Sequence, residues 1–129
     1  MFFFFQQKTA YEIVCKNTQA ARVDDRSTVH RAEAAAFLSH APKQGFDIIF
    51  LDPPYGGRIL ENALLQIETF DILSTDGIII CESAVEDAFT HGFSVVRERR
   101  YGATLITVLH LRDGGTDEEH ENCDLPGQL

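Results

Sequence analysis

Two nearly continuous apolar runs stand out along the chain, Phe46–Leu51 and Ile78–Cys81. Runs of this kind are typical of parallel strands that are buried on both faces, so each predicts a strand. Between them, apolar residues recur at helical spacing from Ile59 to Phe70 and predict an amphipathic helix of about three turns. Two further β-rich runs, Phe93–Arg99 and Thr104–Leu111, are joined by a short segment and predict an antiparallel hairpin.

The chain upstream and between these runs completes the predicted fold. Ser27–His30 is a short β-prone run, and the Ala-rich segment Ala32–Leu38 predicts a helix. Asp76-Gly77 predicts a turn before the second apolar strand, and Ala84–Phe89 predicts a short helix after it. Because strands and helices alternate before a closing hairpin, the sequence predicts an α/β sheet that is mostly parallel and has a C-terminal antiparallel hairpin.

Acidic side chains follow three of the predicted strands. Asp52 and Glu82 come directly after the two apolar runs, and Glu33 lies just past the earlier β-prone run. Ligands of such sheets bind outside the carboxyl ends of the strands. We therefore expect these acids to lie around one crevice. Each acid could equally stabilise the turn or the helix N-terminus at which it lies, where a negative charge is favourable without any ligand.

The charge of the chain is unevenly distributed. The 129 residues carry a formal net charge of −9, which by itself argues against a broadly basic nucleic-acid binder. However, residues 113–129 hold six acids and no Lys or Arg, which leaves −3 for residues 1–112. The composition of 113–129 predicts a disordered acidic tail. The only basic cluster consists of Arg97, Arg99, Arg100 and Arg112.

The first thirteen residues have an unusual composition. Four phenylalanines, Phe2–Phe5, precede a segment that resembles the translation of a thymine run followed by a common sequencing-adapter primer. We interpret residues 1–13 as a non-native segment, with native sequence beginning near Val14. The alternative is an apolar first strand. The run is too short and lacks the basic flank of a signal peptide.

Cysteine and histidine usage indicates neither a disulfide framework nor a metal site. Cys15, Cys81 and Cys123 are widely spaced, and none forms a Cys-x-x-Cys pair. The five histidines have no spacing that suggests metal binding. No stretch has the length of a membrane span. We therefore predict a protein of the cytoplasm that binds neither metal nor membrane.

The motif with the clearest chemical content is Asp52-Pro53-Pro54-Tyr55, directly after the first apolar strand. Two prolines restrict the backbone, so that the Asp52 carboxylate and the Pro53 carbonyl can both point out of the turn as acceptors. Such a pair could bind both hydrogens of an amine on an aromatic base. Tyr55 offers a face on which a flipped-out base could stack, a contact worth roughly 1–3 kcal/mol. The alternative is an ordinary strand-to-helix turn capped by Asp52.

This motif and its context resemble a known family. The segments are FDIIFLDPPY at 46–55, GIIICE at 77–82 and RERRYG at 97–102. Asp-Pro-Pro-Tyr is the motif of S-adenosylmethionine-dependent methyltransferases of exocyclic amino groups, and residues 16–111 resemble the RsmD family of 16S rRNA guanine-N2 methyltransferases. The resemblance implies a Rossmann-like methyltransferase fold, S-adenosylmethionine as cofactor, and 16S rRNA or a small-subunit assembly intermediate as partner of a monomeric enzyme.

The resemblance also implies roles for individual residues. For catalysis these are Asp52, Pro53 and Tyr55. For the cofactor they are Glu33, Ala34 and Asp52, with Glu33 at a position where the family more often has Asp. For the RNA substrate they are Pro54, Tyr55, Arg97, Arg99 and Arg100. The arginines could equally form a solvated sheet edge that resists aggregation.

The chain departs from the family in one important respect. The family begins with a strand and a glycine-rich loop that binds the methionine portion of the cofactor, and no Gly-x-Gly pattern occurs in this chain. We therefore interpret residues 14–112 as the C-terminal portion of a methyltransferase domain that lacks its N-terminal part. Two alternatives stay open, namely a DNA adenine-N6 methyltransferase, whose enzymes more often carry Asn at the position of Asp52, and a non-catalytic remnant.

Overall fold

A computed structural model describes residues 2–4 and 8–113 of the chain. The strands are β1 (Phe2–Phe4), β2 (Thr28–His30), β3 (Phe46–Leu51), β4 (Leu73–Ala84), β5 (Ser94–Tyr101) and β6 (Thr104–His110). The α-helices are α1 (Lys8–Ala20), α2 (Ala34–Leu38) and α3 (Arg58–Thr69), and a short 3-10 helix spans Asp24–Arg26. The predicted α/β class is confirmed, and the two strands of the predicted hairpin are β5 and β6.

The strands form two sheets. β1 and β2 pair in parallel, and a four-stranded sheet has the order β3-β4-β6-β5. In the larger sheet β3 and β4 are parallel, whereas β6 is antiparallel to both of its neighbours. The hairpin therefore adds to β4 through its second strand. This arrangement places the carboxyl ends of β3 and β4 side by side.

The core lies between α3 and one face of the larger sheet. Leu60, Leu64 and Ile67 recur along α3 at helical spacing and are buried. They belong to one apolar cluster with Ile79 of β4 and Leu109 of β6. Because only six residues, 52–57, connect β3 to α3, this packing restricts the short segment between them.

The opposite face of the larger sheet is less well covered. Ile48 and Phe50 of β3 are 66% and 60% exposed, whereas Ile49 and Leu51, which point to the α3 side, are partly buried against the core. The prediction that this strand is buried on both faces is therefore wrong for the described residues. Within them, β3 pairs only with β4 and lies at the edge of its sheet.

Two further local predictions are wrong. Asp76-Gly77 lies inside β4, between Leu73, which pairs with Phe46, and Ile78, which pairs with Ile48. The strand pairing continues on both sides, so these residues form an irregular excursion within β4 and not a turn before it. Residues 84–89 do not form a helix, since β4 extends through Ala84 and an irregular segment leads to β5. That segment, residues 85–93, is called the β4–β5 connection below.

The ends of the chain are only partly described. The structure places Phe2–Phe4 in a strand and starts α1 at Lys8. The interpretation of residues 1–13 as non-native stays a prediction, as does the boundary at residue 112. Residues 114–129, which make up most of the predicted acidic tail, lie outside the described residues.

Candidate active site

A cavity of about 380 Å³ lies at the carboxyl ends of β3 and β4. Asp52 follows β3 directly, Glu82 lies near the end of β4, and both line this cavity. Its full lining is Asp52, Pro53, Pro54, Tyr55, Gly57, Leu60, Glu82, Ser83, Asp87 and Thr104. The expectation that acids following neighbouring strands meet at one crevice therefore holds for Asp52 and Glu82.

The segment Asp52–Gly57, called the β3–α3 turn below, connects β3 to α3. Gly56 and Gly57 have φ values of +116° and +73°, in the region that favours glycine. Gly57 is the N-cap of α3, and its carbonyl accepts a hydrogen bond of 2.9 Å from the Glu61 N–H. The two prolines and these two glycines together explain why the chain leaves β3 and enters α3 within six residues.

The turn leaves an aromatic side chain in the open. Tyr55 is 83% exposed while also lining the cavity. An exposed aromatic face beside a polar cavity can stack on a planar ligand without moving a packed side chain. Asp52 and Pro53 line the same cavity, and the carboxylate of the first and the carbonyl of the second are hydrogen-bond acceptors.

Three polar residues of the cavity were not among the predicted site residues. Ser83, Asp87 and Thr104 come from β4, from the β4–β5 connection and from β6. The Ser83 Oγ is buried and has no hydrogen-bond partner in the described part of the chain. Only Ser83 had a sequence signal, because it follows Glu82 at the end of an apolar run. Asp87 and Thr104 reach the cavity through chain folding that no local pattern indicates.

Glu33 and Ala34 lie apart from this lining. Glu33 is the N-cap of α2 in an extended conformation, and its side chain makes no capping hydrogen bond. Neither residue lines the cavity that holds Asp52. Their assignment to the cofactor stays a prediction.

The predicted RNA-binding arginines lie on β5 and do not line the cavity. Arg97 pairs with Val108 and Arg99 with Ile106, so both project from the sheet face opposite α3. Arg100 pairs with Leu105 and projects from the other face, where its Nε donates to the Gly102 carbonyl at 2.9 Å. The structure thus divides the three predicted arginines between two faces.

Comparison with known proteins places this fold and turn in a family. The model of the family described as "Conserved hypothetical protein 95" matches residues 1–110. The chain belongs to this family, the RsmD family. A relative from Bacillus subtilis, named "Putative rRNA methyltransferase YlbH", is 33% identical over 108 residues. The match covers 80% of this chain but 59% of the relative, so the chain spans less than two thirds of that protein.

Solved structures share the fold. A conserved hypothetical protein of Streptococcus pyogenes superposes with a TM-score of 0.76 at 21% identity, covering 84% of this chain and 70% of that one. A "putative methylase" of Haemophilus influenzae gives 0.73 at 22% identity, covering 85% and 71%. A "Putative methyltransferase" from Escherichia coli gives 0.69 at 22% identity, covering 86% and 63%. The expected Rossmann-like methyltransferase fold is confirmed.

The RsmD-family chain fits the expected cofactor only in part. Asp52 and Glu82 place two carboxylates in the cavity, which suits a cationic group. Glu33 offers an uncommitted carboxylate at the start of α2, outside that lining. The sequence contains no Gly-x-Gly segment for the methionine portion. The residues present therefore do not make a whole S-adenosylmethionine site.

Other chemistry in this RsmD-family chain is limited. In residues 2–4 and 8–113 no group of three His, Cys, Asp or Glu side chains is placed to hold a metal ion. None of the helices within those ranges is long and apolar enough to cross a membrane. Burial raises the pKa of the Cys81 thiol from 9.0 to about 12, so this cysteine is an inert core residue.

Proposed function

We propose that this chain is part of an enzyme that transfers a methyl group from S-adenosylmethionine to an exocyclic amine, namely guanine N2 in 16S rRNA. The observation that carries the proposal is the cavity in which Asp52, Pro53 and Tyr55 meet at the end of β3. Membership of the RsmD family and the rRNA methyltransferase name of the Bacillus subtilis relative support it. Two acceptors beside an open aromatic ring suit an amine on a flipped-out base.

The proposed chemistry assigns separate tasks to the residues of the turn. The Asp52 carboxylate and the Pro53 carbonyl accept hydrogen bonds from the two N–H groups of the amine. This orients the lone pair of the nitrogen toward the methyl donor. Tyr55 stacks on the base, and Pro54 keeps the backbone of the turn rigid. S-adenosylmethionine, when bound, would supply the methyl group and leave as a thioether, and the amine would release one proton to water.

We propose that RNA is held along β5. Arg97, Arg99 and Arg100 are all exposed, and they lie one strand beyond Thr104 of the cavity rim. Phosphate contacts from such side chains position the RNA without reading its sequence. Glu98 is the only acidic residue between Arg97 and Arg100, so the net charge of this segment is positive. We further propose that the enzyme works as a monomer in the cytoplasm.

The direct test is methyl transfer to 16S rRNA from S-adenosylmethionine with a radiolabelled methyl group, using the full chain. Asp52→Ala is expected to lower the rate by about a hundredfold or more, since it removes an acceptor at the reacting amine. Asp76→Ala is the matched control, because Asp76 is an exposed carboxylate in the β4 excursion outside the cavity lining. Where the unmodified chain transfers methyl groups at a measurable rate, an equal rate for Asp52→Ala would remove the catalytic assignment.

Digestion of the product to nucleosides identifies the methylated atom. N2-methylguanine is expected, whereas N6-methyladenine in a DNA substrate would support the adenine-N6 alternative. The analysis is independent of rate and therefore distinguishes the two candidate substrates even when turnover is slow.

A second candidate, a remnant without catalytic activity, is favoured by a specific observation. The chain contains no Gly-x-Gly segment, and the described strands form two sheets that do not pair with each other. Calorimetric titration of the chain with S-adenosylmethionine separates the candidates. Micromolar binding would contradict the remnant interpretation, and absence of both binding and methyl transfer would support it.

A further inference from the structure

The β4–β5 connection is attached to the β3–α3 turn by a hydrogen bond that spans 31 positions of sequence. The Gly56 N–H donates to the Asp87 Oδ2 at 2.8 Å. Asp87 lines the cavity together with Asp52 and Tyr55, and Gly56 stands between two residues of the lining, Tyr55 and Gly57. A carboxylate oxygen on a backbone N–H is a charge-assisted contact, which is stronger than a bond between neutral groups.

The composition of the turn explains why an external acceptor matters there. Pro53 and Pro54 have no N–H, so they can donate no hydrogen bond that would hold the turn in place. Among the described residues, Asp87 is the only one whose side chain forms a hydrogen bond with the backbone of residues 52–57. The conformation of the turn therefore depends on a residue of another segment.

Asp87 is itself held in place. Its N–H donates to the Ala84 carbonyl at 3.0 Å, and the neighbouring Val85 N–H donates to the Ala103 carbonyl at 3.0 Å. These bonds attach the start of the β4–β5 connection to the ends of β4 and of the hairpin. The short side chain of Asp87 is thus attached to a backbone that is itself held by hydrogen bonds.

Two more contacts join the β4–β5 connection to the start of α3. The Glu61 Oε1 accepts hydrogen bonds from the Thr90 N–H and Oγ1 at 2.5 and 3.0 Å. A Cβ atom on Gly57 would lie 2.8 Å from the Ala88 carbonyl oxygen, so the two backbones approach closely. The Asp87 bond is therefore part of a packed contact between the two segments.

We propose that Asp87 is a positioning residue that holds the β3–α3 turn through the Gly56 N–H, so that the Asp52 and Pro53 acceptors stay aligned in the cavity. The part that concerns the substrate rests on the proposed function. Asp87 acts here through the backbone of the turn and needs no contact with the reacting amine. Its oxygen could be replaced by another acceptor of the same reach.

The experiment measures solvent exchange of the Gly56 amide by NMR in the full chain with isotope-labelled glycine, without any ligand. Asp87→Ala is expected to speed this exchange about tenfold, as loss of one charge-assisted hydrogen bond allows. Asp87→Asn keeps an acceptor oxygen and is expected to stay within about threefold of the unmodified chain. The Gly45 amide, which donates to the Pro42 carbonyl at the opposite end of β3, serves as the internal reference and is expected to be unchanged.

Glu86→Ala is the matched control, because Glu86 is an exposed acid next to Asp87. The proposal is overturned when Asp87→Ala leaves Gly56 exchange at the rate of this control, or when Asp87→Asn exchanges as fast as Asp87→Ala. If Asp87→Ala does not fold, Asp87→Glu replaces it in the test, since this variant keeps the negative charge but moves the acceptor oxygen away from its position at the Gly56 N–H. Its Gly56 amide is expected to exchange faster than that of Asp87→Asn.

Titration with guanosine, followed through the Tyr55 ring signals, tests the link to the substrate. Asp87→Ala is expected to weaken guanosine binding by about threefold or more, with Asp87→Asn close to the unmodified chain. Faster exchange with unchanged guanosine affinity would overturn that link. An unmodified chain that binds no guanosine would instead contradict the proposed function, and the exchange rates would still decide whether Asp87 positions the turn.

Discussion

Gly57 and Gly102 offer a matched pair for testing how tightly the β3–α3 turn is packed. Their φ values are +73° and +62°, so alanine at either position is forced into the left-handed region. That region costs a residue with a Cβ atom about 1–2 kcal/mol. The backbone penalty is therefore nearly the same at the two sites, and any difference between the variants reports on the surroundings of the new methyl group.

The surroundings differ sharply. At Gly102 a Cβ atom has no heavy atom within 4 Å, whereas at Gly57 it would lie 2.8 Å from the Ala88 carbonyl oxygen. Relief of that overlap needs a shift of the turn or of the β4–β5 connection, and overpacking of this kind costs about 1–3 kcal/mol. We expect Gly102→Ala to destabilise the fold by about 1–2 kcal/mol and Gly57→Ala by about 2–5 kcal/mol.

Urea unfolding followed by circular dichroism measures both variants against the unmodified chain. The midpoint is expected to fall for each variant, and more for Gly57→Ala, with the slope of the transition unchanged. Guanosine binding adds a second readout, because only Gly57→Ala displaces the turn that carries Tyr55. Equal losses of stability in the two variants would refute the close contact between Gly57 and Ala88.

Three further predictions concern the core, one thiol and the arginines. Leu64→Ala is expected to lower the free energy of unfolding by about 2–5 kcal/mol, since Leu64 is fully buried on α3; urea unfolding measures it, and a loss below about 1 kcal/mol would contradict this packing. Burial raises the pKa of the Cys81 thiol from 9.0 to about 12, so as the pH rises the thiol ionises in the unfolded chain at a lower pH than in the folded chain. The free energy of unfolding of the unmodified chain is therefore expected to fall above about pH 9, by about 1.4 kcal/mol per pH unit relative to that of Cys81→Ala. Parallel pH profiles of the two free energies would contradict this prediction. Arg97→Ala with Arg99→Ala is expected to reduce the salt dependence of RNA binding by roughly one unit of slope per arginine, whereas Lys43→Ala, at an exposed site away from β5, serves as the control.

Local patterns were sufficient for most elements that carry the site. The apolar run at 46–51 is β3 with the same bounds, and the helical spacing from Ile59 corresponds to α3. The turn residues after β3 also lie where the motif predicted, in the cavity at the end of the strand. These features depend on side-chain periodicity and on the backbone limits of proline and glycine, which neighbouring residues determine among themselves.

Local patterns failed where the outcome depends on distant chain segments. The excursion at Asp76-Gly77 looks like a turn, but pairing with β3 and β6 continues the strand on both sides of it. Residues 84–89 have a helical composition, yet β4 continues through Ala84 and the Val85 N–H donates to the Ala103 carbonyl of the hairpin rather than within a helix. In each case tertiary hydrogen bonds outweigh a propensity that is worth less than about 1 kcal/mol per residue.

The sequence by itself determined the α/β class, the strand that delivers Asp52 and the rigid turn that follows it, because those depend on local spacing and stereochemistry. Only the tertiary structure decided which residues complete the cavity. It brought Asp87 to the Gly56 N–H across 31 positions, left Ile48 and Phe50 exposed, and divided Arg99 and Arg100 between opposite sheet faces. The physical reason is that register, edge position and long-range hydrogen bonds arise from packing between segments, which no local pattern encodes.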